Sequence, residues 1–230
     1  MRQKKGIAFD RANVKQTKRI QTIAKVSADL FSTRGYLETS MDDIARAARV
    51  TKGGVYHYFR SKTEILHFIC STYIHLDLEN LEQALSTVRE GVEKVRLVVF
   101  RHIDHYAAHA SAAKTLLNEA YNLPPRHFRE VKAIEKKYFD IVARVLSEYL
   151  KGRIEKHTLT ALTFTFFGMM NWIYTWYHPN PDLPLPELID QMLRIYFFGI
   201  LKGGKAQEPW FTPSSADPGK EGFSLWQNLP

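Results

Sequence analysis

Apolar residues recur every three or four positions along most of the chain, the spacing of helices with one buried face. Ile20, Ile23, Ala24, Ser27, Leu30 and Phe31 form one stripe, which Gly35 stops. Val92, Val95, Val99, His102 and Tyr106 form a second. A third runs through Phe128, Val131, Ile134, Tyr138, Ile141, Val145 and Tyr149, and Pro124-Pro125 precedes it. Thr158 to Tyr177 carries no charge and predicts a helix apolar all round, ending at His178-Pro179. A last helix is predicted over about 185–201, after Pro181 and Pro184 and before Gly203-Gly204. No sustained strand alternation and no internal repeat interrupts this pattern, so the chain reads as all-α.

The uncharged run raises the question of a membrane span. It holds Thr158, Thr160, Thr163, Thr165, Asn171 and Thr175, too polar for a lone helix in lipid, so a helix buried in a soluble bundle is expected. The two ends differ from the rest. Residues 1–16 read as a basic flexible arm (Arg2, Lys4, Lys5, Arg11, Lys15), and 205–230 as a tail broken by Pro209, Pro213, Pro218, Gly219 and Gly222. Of 230 residues 45% are hydrophobic, which excludes global disorder. A single cysteine, Cys70, excludes an internal disulfide and a four-cysteine zinc site, and is read as a small core residue. Met1 to Asp10 is charged and lacks the apolar core of a secretory signal, so the cytoplasm is the expected compartment.

Charge sharpens this picture once it is located. Residues 1–62 hold 14 Lys/Arg against 5 Asp/Glu, while the other 168 hold 18 against 19. A basic module precedes a near-neutral body, and a polyanion, nucleic acid or an anionic membrane, is its natural partner.

Residues 39–66, TSMDDIARAARVTKGGVYHYFRSKTEIL, are the most informative. Ser40 is an N-cap, with Asp42 and Asp43 in the first turn of a short helix whose inner stripe is Met41, Ile44, Ala45 and Ala48. Thr51 caps a second short helix, 52–58, after a turn of three or four residues, which is helix-turn-helix spacing. Ser61 caps the next. The second helix opens Lys52-Gly53-Gly54, a poor choice for helix stability that leaves bare backbone for close approach to a surface.

The run DIARAARVTKGGVYHYFRSKTEIL resembles the DNA-binding domain of TetR-family transcriptional regulators, and the helix at 17–34 ending in Gly35-Tyr36 is similar to that family's first helix. Arg49 departs from the pattern, which usually has glycine in the turn. The resemblance implies a homodimer with a helix-turn-helix domain at 17–67 and an effector-binding and dimerisation domain at 68–204. It implies DNA contacts from Ser40, Arg46, Thr51, Lys52, Gly53, Tyr56, His57, Tyr58 and Lys62, with Lys52, Gly53 and Tyr56 nearest base edges. Phe59 is expected in the core, Tyr58 in the core or on a phosphate. The last two helices, about 156–177 and 185–202, would pair with their copies as a four-helix bundle.

Phe167, Asn171, Trp172 and Trp176 are the candidate effector contacts, with core or dimer interface as the competing reading for each. The run from Gly168 to Tyr177 looks similar to the family's acyl-CoA-sensing branch, which suggests a bulky apolar effector such as an acyl-CoA thioester of lipid or sterol breakdown. A regulator of an efflux or detoxification operon answering to hydrophobic drugs is the alternative. His102, His105 and His109 share a helix face, read as a pocket wall or solvated face instead of a metal site. No phosphate loop, zinc motif or nucleophile elbow is present, so no enzyme, catalytic residue, metal or cofactor is expected.

Overall fold

The computed structural model of the chain describes residues 4–89, 91–152, 154–177 and 183–198. They form α1 (Lys4–Arg34), α2 (Met41–Ala47), α3 (Lys52–Tyr56), α4 (Lys62–Ser86), α5 (Val92–Ala108), α6 (Ala110–Glu119), α7 (Pro125–Tyr149), α8 (Lys156–Trp172) and α9 (Leu185–Phe198). Single 3-10 turns follow α6 at Ala120–Asn122 and α8 at Ile173–Thr175, and no β-strand forms among the described residues. The chain divides into two compact units, 1–178 and 179–230. In the second, α9 is the described element. The predicted 205–230 tail lies outside the described residues.

The predicted stripes bury most of their residues, with Val92 at the start of the second left exposed. Ile23, Ala24 and Phe31 of α1, Ile44 and Ala45 of α2, Val55 of α3 and Ile65, Leu66 and Ile69 of α4 are buried in the head of the first unit, where α1 packs on α2 and α4 and α2 packs on α3. Phe31 stacks edge-on against Tyr36, centroids 5.2 Å apart, just past the helix end. Burying a side chain of this size contributes about 1.5–3 kcal/mol, so this core sets the orientation of the short α2 and α3, too short to be stable alone. α1 begins at Lys4, so residues 4–16, expected as an arm, form its first turns.

The turn after α2 accommodates the unusual Arg49. Its φ is +54°, the left-handed region, where a side chain costs about 1 kcal/mol. Val50 N–H donates to Ala45 O at 3.0 Å and Arg49 N–H to Arg46 O at 3.2 Å, which closes the helix with the two crossed bonds of a Schellman turn.

Below the head, α4 packs on α5, α6 and α7, and α6 returns to pack on α1, where buried Thr115 donates to Ala28 O at 3.3 Å. α5 and α6 break at His109, whose backbone (φ −134°, ψ 39°) is not helical. α8 packs on α7 with Thr163, Phe166 and Met170. Its opposite face, Thr158, Ala161, Phe164, Thr165, Gly168 and Trp172, is exposed. The expectation of a helix buried all round is therefore corrected: in one chain α8 is covered on one side. No helix among the described residues is long and apolar enough to cross a membrane.

Candidate nucleic-acid interface and effector site

α2 and α3 are each held by their caps. Asp43 N–H donates to Ser40 Oγ at 3.1 Å, Ser40 N–H donates to Asp43 Oδ2 at 3.0 Å, and Ser40 Oγ donates to the same oxygen at 2.5 Å. These bonds hold the Asp43 carboxyl below its usual range. Gly54 N–H donates to Thr51 Oγ1 at 3.0 Å, and Glu64 N–H to Ser61 Oγ at 3.1 Å.

The two glycines of α3 play different parts. A Cβ on Gly54 would lie 3.3 Å from Thr51 Oγ1 and 3.4 Å from Val50 Cβ, so the cap and turn need the space. A Cβ on Gly53 would meet nothing within 4 Å. Nothing inside the protein calls for glycine at position 53, a choice that serves close approach from outside. Around it, Arg46, Thr51, Lys52, Tyr56 and His57 are exposed, Tyr56 at 46%. Tyr58 is half-buried, edge-on to His57 at 4.8 Å, and Phe59 is buried as expected.

Two cations of this surface have protein partners. Lys52 Nζ donates to Asp42 Oδ2 at 2.8 Å, an exposed pair of the kind that holds weakly. Lys62 is held by backbone carbonyls of its own chain. Its ammonium donates to Tyr36 O at 2.6 Å, Leu37 O at 3.2 Å and Thr39 O at 2.8 Å, and lies 4.3 Å from the Tyr36 ring centre. All three hydrogens are spent inside the protein, so Lys62 clamps α4 to the α1–α2 loop. Lys62→Met keeps the stem and removes the bonds. It is expected to lower unfolding stability by about 2 kcal/mol in a urea titration and to leave the salt dependence of DNA binding unchanged. Loss of a phosphate contact would instead flatten that slope by about one per half-site.

The predicted effector residues separate into two groups. Asn171 Oδ1 lies 2.9 Å from His102 Nε2, His102 Nδ1 lies 3.2 Å from Tyr138 Oη, and the Phe167 ring sits 5.8 Å from both the His102 and Tyr138 rings. Trp172 and Trp176 are 65% and 50% exposed and do not join this cluster, which favours the interface reading for them. The sequence missed Asp77 on α4, which is 2% exposed, hydrogen-bonded to Tyr138, and 3.9 Å from His102 Nδ1. Burial pushes the Asp77 carboxyl up to about 7 and the His102 imidazole down to about 4, so near neutral pH the histidine is uncharged. His105 lies 3.2 Å from Tyr73 O through Nε2, and both His102 and His105 are buried, not on a solvated face. A cavity of about 350 Å³, lined by Glu82, Lys94, Arg144 and Glu148 among others, contains none of the predicted effector residues. The Cys70 thiol is buried and its pKa pushed up to about 12, as a core residue's is.

A helix-turn-helix head with an exposed, glycine-opened second helix, carried on a helical body with a buried polar core, defines a DNA-binding regulator. The chain belongs to the TetR family of transcriptional regulators. The profile "Bacterial regulatory proteins, tetR family" matches residues 23–69, and "Tetracyclin repressor-like, C-terminal domain" matches 88–200. The HTH-type transcriptional repressor KstR2 of Mycolicibacterium smegmatis is 24% identical over 184 residues, 77% of this chain and 88% of its own. A TetR-family regulator from Bordetella parapertussis superposes with a TM-score of 0.75 at 27% identity, over 79% of this chain and 95% of its own. AibR, solved with isovaleryl coenzyme A and operator DNA, gives 0.68 at 29% identity, over 77% and 97%.

Proposed function

We propose that the protein is a cytoplasmic, dimeric repressor released from a palindromic operator by an acyl-CoA thioester. The observation that carries DNA reading is the open space over Gly53, flanked by Lys52 and Tyr56 at the start of α3. In a helix-turn-helix those positions enter the major groove, with Arg46, Thr51 and His57 on phosphates. Residues 17–67 form the reader and 68–204 the sensing and dimerising part. Two copies pair through the outward face of α8 together with residues 185–202, which sets the spacing of the two α3 helices.

The acyl chain enters beside Phe167 and Asn171. The likeness to AibR, at 29% identity, supports a thioester over other apolar ligands. Release is a population shift: effector binds the DNA-incompetent arrangement more tightly, and operator weakens effector by the same factor. The test titrates acyl-CoAs of increasing chain length, and free coenzyme A, into the complex with labelled upstream DNA. Acyl-CoA is expected to release the DNA while free coenzyme A does not. Release by hydrophobic drugs alone would overturn the effector assignment.

A further inference from the structure

His67 on α4 and His127 and Glu130 on α7 bring three metal-ligating atoms together, all within 4.8 Å of one another. Among the described residues this is the one place where three such groups converge. Glu130 Oε2 lies 3.1 Å from His67 Nε2 and 3.2 Å from His127 Nδ1. Zinc bound tetrahedrally at 2.0–2.2 Å would separate its ligand atoms by about 3.3 Å, so two of the three edges already have the required length.

Two further features point the same way. His67 Nε2 is shut off from solvent and makes no hydrogen bond, despite its closeness to the carboxylate. Its one charged neighbour, the carboxylate at 3.1 Å, is not aligned for a hydrogen bond, and a metal between the two would satisfy both. The other carboxylate oxygen, Glu130 Oε1, accepts from Arg126 Nε at 3.1 Å, which fixes the group and leaves Oε2 turned to the imidazoles. The two rings sit 4.2 Å apart, tilted by 36°.

The geometry points to a divalent transition-metal site that bridges α4 and α7. Two imidazoles and one carboxylate suit Zn²⁺, Co²⁺ or Ni²⁺, whereas Mg²⁺ and Ca²⁺ prefer all-oxygen shells. With three protein ligands a water completes the shell. The position gives the site a consequence for DNA reading. His67 follows Lys62 on the same helix, and Lys62 ties α4 to the loop that leads into α2. A metal there staples the reader's last helix to the sensing body.

The test uses the full-length chain, any affinity tag removed, stripped with a chelator. ZnCl2 is titrated calorimetrically, and CoCl2 is followed by its visible absorption. The expected result is one ion per chain and a thermal midpoint that rises with Zn²⁺. His127→Gln and Glu130→Gln, both at partly exposed positions, are expected to fold, lose affinity by about a hundredfold, and lose the thermal shift and the cobalt spectrum. Zn²⁺ binding of equal strength in His127→Gln would place the ion on other histidines and overturn the proposal. So would no binding to the wild type at about 1 mM Zn²⁺, a concentration at which even weak binding registers.

Discussion

Gly168→Arg is expected to give a folded monomer whose operator affinity falls by about a hundredfold or more. A Cβ at position 168 meets nothing within 4 Å, so the substitution fits the single chain. The position lies in the middle of the exposed α8 stripe from Thr158 to Trp172, an uncharged row of small and apolar side chains. In a two-fold pairing of that stripe, two guanidinium groups would meet in a closed apolar interface without partners, a strongly unfavourable burial. Each half-site would then be bound alone, without the effective concentration that linkage provides, typically worth 10²–10⁴. Sedimentation velocity and circular dichroism check mass and fold, and operator titration checks affinity. A Gly168→Arg dimer with native affinity would move the interface elsewhere.

Asp77→Asn is expected to stabilise the protein in a strongly pH-dependent way. A carboxyl raised from its model-peptide value of 3.8 to about 7 contributes most to stability below pH 4 and loses that contribution as pH rises through 7. Asparagine keeps an acceptor for Tyr138 and never ionises. Its advantage is therefore near zero at pH 4 and grows to at most about 4 kcal/mol at pH 8. Urea unfolding of both proteins across that range measures the difference. Destabilisation at pH 8 would mean instead that Asp77 is ionised against a charged His102.

Local signals in the sequence carried over well. The caps at Ser40, Thr51 and Ser61 and the buried faces of α1 and α7 all follow from residue type and spacing. Features set by distant neighbours did not. Lys62 finds its acceptors 23 to 26 residues earlier, on backbone carbonyls that no side-chain pattern encodes. The α5–α6 break at His109 lies in an alanine-rich run without proline or glycine, and it is set by docking of α6 on α1. His67 and Glu130 meet across more than sixty positions. Asp77 was readable, since it falls on the same helix face as Tyr73, Ile74 and Leu81, and an acid in an apolar stripe marks a buried polar site.

The central claim, that α3 reads DNA through the bare backbone at Gly53, is tested most directly by Gly53→Ala. Alanine adds up to about 1 kcal/mol of helix propensity and touches nothing in the protein, so the variant should unfold at the same or higher urea concentration. Its affinity for the upstream operator should nonetheless fall by about tenfold to a hundredfold, the worth of one or two groove contacts. A Gly53→Ala protein that is equally stable and binds the operator as tightly as the wild type would contradict the account.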